Sequence, residues 1–473
     1  MTDLADQSAT DLVAAYRRRA LSPVEVTEAV LARIEASEPA LHALYLPDPA
    51  GARAAARRSE ARWREGAPAG PIDGVPITIK ENIATRGTPM PLGTAAGTLV
   101  PAEEDAPPAA RVREAGAVIL GKTTMPDYGM LSSSLSSVHP LTRNPWKLDR
   151  TPGGSSSGAG AAGAAGYGPL HIGTDIGGSV RLPAGWCGLV GLKPSLGRVP
   201  IDPPYPGRVA GPMTRSVADA ALLMSVLARP DARDAMSLPP AEIGWAGLER
   251  EVRGLRLGLM LEAGAGLAPE PEVVAAVTAA ARAFERAGAI VEPFAPFLTR
   301  AMLDGLDRFW RMRAWAEMRH LPPERLAKVL PFIRAWAEAA AALSGPDVFE
   351  GGEQMMVIRR AAVRACQGFD YVLSPTAPIP AFAAALPCPT DDPARPFEHI
   401  GFTVPFNFSE QPAVSVHCAM TGDGLPIGLQ IIGRRFDDLG VLQLAHAWER
   451  LRGAPRTGPS RAHDIRADDG RQR

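Results

Sequence analysis

Residues 151–197 read TPGGSSSGAGAAGAAGYGPLHIGTDIGGSVRLPAGWCGLVGLKPSLG, and this stretch governs how the rest of the chain is interpreted. It contains two clusters of glycine and serine, PGGSSSGAG at 152–160 and GTDIGGSVR at 173–181, separated by small residues that predict a tightly packed helix. The next segment, GWCGLVGLKPSLGRVP at 185–200, is largely apolar. We therefore expect the whole stretch to be folded rather than to act as a flexible linker.

Three short patterns can be tested against this stretch, and only their surroundings separate them. GSSSG at 154–158 fits the nucleophile elbow of α/β-hydrolases, but that elbow needs a strand directly before it, and RNPWKLDRTPGG is not strand-like. GAGAAG at 158–163 fits the dinucleotide-binding fingerprint, which needs a preceding strand and an acidic residue about 20 residues later. Asp175 follows Gly163 by only 12 residues. No GK[ST] follows, so a P-loop is excluded, and a dinucleotide-dependent enzyme is only a distant alternative.

The composition indicates an ordinary globular protein without a strong electrostatic field. The 473 residues are 46% hydrophobic, and 50 Lys+Arg against 51 Asp+Glu give a formal net charge of −1. Such a chain has no global charge that would attract nucleic acid or acidic membranes, so we expect neither as a partner. The first twenty residues place acids before the apolar run and bases after it, the reverse of a secretory signal. No stretch reaches the roughly 18 apolar residues of a membrane span.

The cysteines and histidines predict neither disulfides nor metal. Four cysteines lie far apart without a CxxC pair, and eight histidines are scattered without HExxH spacing. We therefore expect a protein of the reducing cytoplasm with no metal and no cofactor.

The order of elements along the chain indicates an α/β fold. Ser22-Pro23-Val24-Glu25 reads as a capping box and predicts the second of two opening helices. Residues 75–80 alternate apolar and other side chains after Gly74, which predicts a strand that ends in Lys80. Residues 111–122 and 256–294 then predict further alternating helices and strands.

No linker divides the chain, so we predict a single domain over residues 1–473. Its core spans about residues 10–450, and 453–473 is expected to be a disordered tail. Residues 297–366 are mostly helical in pattern and rich in aromatic side chains, namely Phe309, Trp310, Trp315, Phe332 and Trp336. This segment either forms a lid over a pocket or is the core of a helical subdomain, and we favour core for most of these aromatics.

A long collinear series of motifs resembles the amidase signature family. That family has GVPIxxKDN, GGSSGG and GxDxGGSxRxPAxxCGxxGLKPT, and this chain has GVPITIKEN at 74–82, GGSSSG at 153–158 and GTDIGGSVRLPAGWCGLVGLKPS at 173–195. Further family-like segments extend the resemblance over roughly residues 10–450. Departures such as Glu81 for aspartate and Ser157 for glycine leave the matched catalytic positions intact. The resemblance implies the amidase-signature fold, an α/β fold whose central mixed, twisted β-sheet is covered on both faces by helices.

The same resemblance implies a serine hydrolase mechanism. Ser179 corresponds to the nucleophile, Ser155 to the proton relay and Lys80 to the base, and the Gly154–Ser155 peptide bond is expected to be cis. A lysine with an ordinary pKa near 10.4 must be desolvated to act as a base near neutrality, and the apolar neighbours of Lys80 fit that requirement. A non-catalytic binding protein is disfavoured because all three positions are intact.

Oxyanion stabilisation and positioning are assigned to residues around the two serine clusters. The glycines beside Ser179 leave room for backbone amides to turn inward, so we predict an oxyanion hole of Ile176, Gly177, Gly178 and Ser179. The residues that match family positions and are expected to orient the loops are Ser156, Asp175 and Arg181.

The expected substrate is a small, neutral, apolar or aryl amide, with esters and carbamates (urethanes) as further candidates. The alternative within the family is a glutamine-hydrolysing amidase subunit of tRNA-linked amidation. The region 348–369 lacks the tyrosine-rich pattern expected of that subunit. We therefore expect a free-standing enzyme, and the sequence leaves open whether it forms a homodimer.

Overall fold

The structure, a computed structural model, describes residues 3–453, so the predicted tail at 453–473 lies outside the described residues except for Gly453. Strands and helices alternate as the sequence predicts, and Ser22 and Glu25 form the predicted capping box at the start of the second helix. The strands are β1 Leu44–Pro47, β2 Pro76–Lys80, β3 Val118–Thr123, β4 Leu170–Asp175, β5 Val190–Lys193, β6 Val209–Thr214, β7 Arg256–Leu259, β8 Ile290–Pro293, β9 Tyr371–Pro375, β10 Ala413–Met420 and β11 Pro426–Ile432.

The helices connect and cover these strands. They are α1 Ala9–Arg17, α2 Pro23–Leu41, α3 Pro49–Glu65, α4 Pro107–Glu114, α5 Ser157–Ala165, α6 Arg181–Cys187, α7 Val217–Leu227, α8 Pro271–Arg286, α9 Arg300–Met318, α10 Pro323–Leu326, α11 Pro331–Glu338, α12 Gly345–Cys366, α13 Pro405–Phe408 and α14 Asp438–Arg452. Within residues 3–453, none of them is long and apolar enough to cross a membrane.

All the strands join one mixed sheet in the order β1-β3-β2-β4-β6-β5-β10-β11-β9-β7-β8. The pairs β2/β3, β2/β4, β7/β8 and β7/β9 are parallel, and the other neighbours are antiparallel. The mixed α/β fold expected from the family resemblance is thereby confirmed. Strand β2 lies between two parallel partners, so its carboxyl end meets those of β3 and β4 at one edge of the sheet.

Alternation along β2 assigns its side chains to two different layers. Ile77 and Ile79 belong to the largest hydrophobic cluster, which also contains residues of α2, α7, α8 and α14. Thr78 points the other way, where its hydroxyl hydrogen-bonds His171 Nδ1 at 2.8 Å, and α5 packs against β2, β3 and β4. Because successive strand residues face opposite sides, Lys80 falls in the layer of Thr78. Helices cover both faces of the sheet, as expected.

A second hydrophobic cluster lies apart from the sheet core. It combines α9, α11 and α12 with the chain from 377 to 425, and Trp310 and Trp336 are buried in it. Phe309, Trp315 and Phe332 pack against it half-buried. The segment 297–366 is therefore helical as predicted, and its aromatic residues mostly form a core.

The structure also excludes the nucleophile-elbow and dinucleotide-fingerprint interpretations of residues 154–163. Residues 151–156 form no strand, and the GAGAAG pattern at 158–163 lies inside α5. Neither an elbow nor a dinucleotide fingerprint can operate there, because each requires a strand that runs directly into the glycine turn. The small residues of α5 instead allow close packing: a Cβ at Gly158 would lie 2.1 Å from the Ala43 carbonyl oxygen and 2.5 Å from the Thr124 nitrogen.

This packing yields a stability prediction. Alanine is a better helix former than glycine by about 1 kcal/mol, so Gly→Ala should stabilise a helix where space is open. At Gly158 the backbone contacts leave no space, so Gly158→Ala should lower the free energy of unfolding by about 1–3 kcal/mol in urea titrations. Gly345→Ala is the control, because no atom lies within 4 Å of the added Cβ at the start of α12. Equal changes in the free energy of unfolding for the two variants would contradict the close approach of α5 to the backbone of Ala43 and Thr124.

Candidate active site

Lys80 ends β2 inside the protein, with none of its surface exposed. Its Nζ lies 2.8 Å from Ser155 Oγ and 3.0 Å from Thr174 Oγ1, and donates to both. Thr174 also accepts a hydrogen bond of 3.0 Å from Asn82 Nδ2. Thr174 of β4, which is itself held by Asn82, therefore keeps the Lys80 amine next to Ser155.

Burial is the main reason that the pKa of Lys80 lies well below its ordinary value, and the nearby charge of Arg208 lowers it further. The carboxylates of Asp175 and Glu81 oppose this effect but do not cancel it. Desolvation disfavours the charged ammonium because water no longer stabilises it. The lowered pKa makes Lys80 lose its proton more readily than an ordinary, solvated lysine, which suits it to act as a base.

Ser155 and Ser156 lie at the start of α5, in the loop that follows the glycine pair. The Gly154–Ser155 peptide bond is cis, as the resemblance implies. The Ser156 hydroxyl donates to the Thr174 carbonyl oxygen at 3.2 Å, and the Thr174 N–H donates to the same hydroxyl at 3.3 Å. The Ser156 N–H donates to the Ser179 carbonyl oxygen at 3.2 Å. Ser156 thus joins the Ser155 loop to β4 and to the Ser179 loop.

Ser179 lies between β4 and α6, is half-buried, and lines a narrow pocket. Within residues 3–453 its hydroxyl has no hydrogen-bond partner, so the structure brings Lys80 and Ser155 into contact but does not close the step from Ser155 to Ser179. Hydrogen bonds of a catalytic relay often tighten only when substrate is bound. The Ser179 hydroxyl is left open to the pocket.

The backbone amides around Ser179 divide into two groups. The Gly178 N–H donates to Asp175 Oδ1 at 2.8 Å, so it is not free to bind an oxyanion. The assignment of Gly178 to the oxyanion hole stays a prediction, and in this structure the carboxylate three residues earlier takes the donor. Within the described chain, the N–H groups of Ile176, Gly177 and Ser179 have no hydrogen-bond partner. These three amides remain available at the pocket.

Asp175 and Arg181 form a fully buried ion pair that shapes this loop. Arg181 Nη2 lies 2.9 Å from Asp175 Oδ1, and Arg181 Nε lies 3.0 Å from Asp175 Oδ2. Asp175 also accepts from the Val180 N–H at 3.1 Å and from Asn407 Nδ2 at 2.9 Å. Burial alone would raise the pKa of Asp175, but the charge and hydrogen bonds of Arg181 hold it well below its ordinary value. Asp175 and Arg181, two of the three residues expected to orient the loops, therefore occupy positions from which they can do so.

Residues far along the chain complete the support of the loop. Arg181 Nη1 donates to the Thr403 carbonyl oxygen at 2.9 Å and to Gln430 Oε1 at 2.8 Å. The Thr403 hydroxyl donates to the Gly177 carbonyl oxygen at 2.6 Å. A Cβ at Gly178 would lie 2.7 Å from Thr403 Oγ1, and its φ of +133° also favours glycine. The turn can therefore form only with glycine at this position.

Several contacts at the site were not predicted from the sequence. Thr174 and Asn82 lie within the quoted motifs, so their polar side chains beside Lys80 and Asp175 offered a signal. Asn407 lies 226 residues after Arg181, and no local pattern connects the two positions.

The pocket beside Ser179 is narrow and mostly apolar, with a volume of about 40 Å³. Its walls come from three parts of the chain: the 129–132 loop, the Ser179 loop, and the second hydrophobic cluster. Arg313 of α9 is the charged side chain among its lining residues, which are Gly129, Met130, Leu131, Ser132, Ile176, Gly177, Ser179, Trp310, Arg313, Phe397 and Ile400.

Comparisons with known proteins give matches over most of the chain. A sequence model of the Amidase family matches residues 25–442. A glutamyl-tRNA(Gln) amidotransferase subunit from Myxococcus xanthus (strain DK1622) is 38% identical over 483 residues, which cover 94% of this chain and 97% of that protein.

Two solved structures are similar over nearly the full chain. A bacterial aryl acylamidase of the amidase signature family has a TM-score of 0.87 and 31% identity, covering 98% of each chain. A 6-aminohexanoate cyclic dimer hydrolase complexed with substrate has a TM-score of 0.84 and 29% identity, covering 95% of this chain and 98% of the other. With the family match over most of its length, this chain belongs to the amidase signature family and is a hydrolase that acts on C–N bonds.

Proposed function

We propose that this protein hydrolyses an amide bond of a small molecule through an acyl-enzyme on Ser179, with Ser155 as proton relay and Lys80 as general base. The observation that carries the proposal is the 2.8 Å contact between the buried Lys80 amine and Ser155, beside an unbonded Ser179 hydroxyl. A serine hydroxyl is a weak nucleophile until an adjacent base removes its proton. A neutral lysine supplies such a base.

In acylation, Ser179 Oγ attacks the substrate carbonyl carbon while its proton passes to Ser155 Oγ and the Ser155 proton passes to Lys80 Nζ. The carbonyl oxygen becomes an oxyanion, which the N–H groups of Ile176, Gly177 and Ser179 are placed to stabilise. The proton then returns through Ser155 to the nitrogen of the leaving amine as the C–N bond breaks. The product is an ester between Ser179 and the acyl group.

Deacylation repeats the same proton path with water as the nucleophile. Water attacks the ester carbonyl, gives a proton through the relay to Lys80, and the proton returns to Ser179 Oγ as the carboxylic acid leaves. The supporting ion pair of Asp175 and Arg181 keeps the amides in place in both steps. No change in the charge of these two residues is needed.

The lining of the pocket bears on the substrate class. Apart from Arg313 and the Ser132 and Ser179 hydroxyls, its side chains are apolar, and no aspartate or glutamate lines it within the described residues. An apolar wall gains roughly 25 cal/mol per Å² of substrate surface removed from water. A buried ammonium group, by contrast, is costly without a partner. The pocket therefore favours an apolar or aryl group over free glutamine.

The second candidate is glutamine hydrolysis by a subunit that works with protein partners. The name of the 38% identical relative favours this alternative over a free-standing aryl amidase. The structural likeness to an aryl acylamidase and the apolar pocket argue for the small amide. We give more weight to the pocket, because the side chains beside Ser179 must contact whichever substrate is cleaved.

The small volume of the pocket suggests that part of the segment 297–366 moves when substrate binds. Cavities that bind small molecules usually measure about 300–1,000 Å³, so side chains must move apart to admit an aryl amide. Trp310 and Arg313 belong to α9, whereas the Ser179 loop is fixed by the sheet. We propose that α9 acts as a lid, although most of the segment is core.

A substrate panel tests the proposed reaction. Purified protein without ATP, metal or partner should release nitroaniline from aryl amides, and a nitrophenyl ester, an aryl carbamate and L-glutamine should be assayed in parallel. We expect faster turnover of the aryl amide than of L-glutamine, because the pocket offers an apolar wall and no acid. Cleavage of glutamine alone would support the amidotransferase-type alternative and overturn the aryl assignment.

Variants of the relay test the mechanism. General base catalysis contributes about 10²–10⁴ to rate, so Lys80→Ala should retain no more than about one-hundredth of wild-type kcat. Ser179→Ala should be inactive and should lose labelling by a fluorophosphonate probe, and Ser155→Ala should be severely impaired. Retention of a tenth of wild-type turnover by Lys80→Ala would refute the assignment of the base. Ser157→Ala is a control, because its buried hydroxyl bonds only the Ser133 carbonyl oxygen at 3.1 Å.

The pKa of Lys80 predicts how stability depends on pH. Because that pKa is lowered in the folded protein, the unfolded chain binds one more proton at pH values between the two pKa values. Wild-type stability should therefore rise with pH in this window. Lys80→Met lacks the titration, so it should be more stable than wild type at pH 6, and its advantage should shrink by pH 9 in urea titrations. If the stability advantage of Lys80→Met over wild type grew with pH, that result would contradict a neutral, buried Lys80.

A further inference from the structure

Arg313 is a cation in the wall of the pocket that the Ser179 hydroxyl faces. It lies on α9, is half-buried, and places its guanidinium carbon 4.1 Å from the centre of the Tyr205 ring. Such stacking holds a guanidinium in place while leaving its edge N–H groups able to donate. The proton relay and the oxyanion amides make no use of this group.

A second arginine, Arg208, lies in the turn of Tyr205, the residue on which Arg313 stacks. Tyr205 and Arg208 close one turn, in which the Arg208 N–H donates to the Tyr205 carbonyl oxygen at 3.0 Å. The Arg208 side chain is half-buried, and its Nε has no hydrogen-bond partner among the described residues. Burial lowers the pKa of Arg208, and the charge of Arg313 lowers it further. The two cations therefore act on each other across this turn.

These charges lack a carboxylate partner. Within residues 3–453, no aspartate or glutamate oxygen lies within 4.0 Å of either guanidinium, although other arginines of α9 and its surroundings form such pairs, as Arg311 does with Asp307 at 2.7 Å. Asp202 and Glu317, which act on this group from farther away, are exposed to solvent. Charges that are half-buried together without a counter-ion favour binding of an anion.

The indole N–H of Trp310 is a further hydrogen-bond donor near Arg313. Trp310 lines the same pocket three residues before Arg313, and its buried indole N–H has no partner in the part of the chain that the structure describes. Buried indole N–H groups usually find an acceptor.

We infer that Arg313, backed by Arg208, is a specificity-determining subsite for a carboxylate, so that the substrate is an amide whose acyl chain ends in a carboxylate. This inference rests on the proposed amide hydrolysis at Ser179 and adds the charge of the substrate. A guanidinium matches the planar carboxylate with two parallel hydrogen bonds. The apolar wall between Ser179 and Arg313 suits methylene or aryl carbons between the two ends of the acyl group. A zwitterionic amino acid fits less well, since its ammonium finds no acid among the described residues of this pocket.

Matched substrate pairs test the inference. Succinamate, glutaramate and adipamate are each compared with the neutral amide of the same chain length, by ammonia release, and the corresponding 4-nitroanilides are compared in the same way. Hydrogen bonds to charged groups contribute about 1.5–3 kcal/mol, so the best carboxylate member should exceed its neutral partner by about 10- to 100-fold in kcat/KM. Arg313→Gln should remove that preference, because it should lower kcat/KM for the carboxylate member at least about tenfold more than for the neutral member, and Arg313→Lys should restore part of it.

Arg319→Gln is the matched control, because it makes the same change of charge at an exposed position just beyond α9. It should keep the wild-type preference. Equal rates for both members of every pair in wild type, or an equal loss on both members in Arg313→Gln, would overturn the carboxylate subsite while leaving the amide hydrolysis intact.

A binding measurement keeps the two proposals separate. If no amide is cleaved, or if Ser179→Ala is as active as wild type, the proposed reaction fails. Calorimetry with glutarate then tests the subsite alone. Binding to wild type that is at least about tenfold weaker in Arg313→Gln supports the subsite, and equal or absent binding in both proteins overturns it.

Discussion

The buried ion pair between Asp175 and Arg181 is the contact on which the geometry around Ser179 depends. Removing two charges from water costs several kcal/mol per ion, so the pair can persist only where further hydrogen bonds satisfy both groups. Asp175 receives donors from its own loop, and Arg181 reaches Asn407 and Gln430. The end of β4, the start of α6, α13 and β11 must therefore all be in place before the loop adopts its shape. The Ser179 loop therefore cannot take its shape unless the sheet around it has folded.

Burial disfavours the charged form of both Asp175 and Lys80, but their neighbours give the two groups different outcomes. The charge and hydrogen bonds of Arg181 hold the pKa of Asp175 well below its ordinary value despite burial, whereas burial and then the charge of Arg208 lower the pKa of Lys80. The protein thus places a paired carboxylate at the end of β4 and a lysine with a lowered pKa at the end of β2. The carboxylate holds the backbone of the Ser179 loop, and the lysine is the group better suited to exchange protons.

The sequence supported the fold and the site to different degrees. The capping box at Ser22 and the alternation at 75–80 follow from local physics, and both elements occur within a residue of their predicted limits. The three proposed catalytic positions came from the family motifs rather than from spacing. The hydrogen bond between the Gly178 amide and Asp175 could not be predicted, because a free amide and a bonded one have the same sequence. Arg313 was one basic residue among several on a helix, and only the packing of distant segments brings it into the pocket.

The presence of two separate hydrophobic clusters has a consequence for how such an enzyme can diversify. The sheet that fixes Lys80 draws its stability from one cluster, whereas Trp310, Phe397 and Ile400 of the pocket wall belong to the other. Substitutions that reshape the wall therefore alter packing in the second cluster and leave the first largely undisturbed. Evolution, or a protein engineer, can explore new specificities on this scaffold while the reaction chemistry is inherited unchanged.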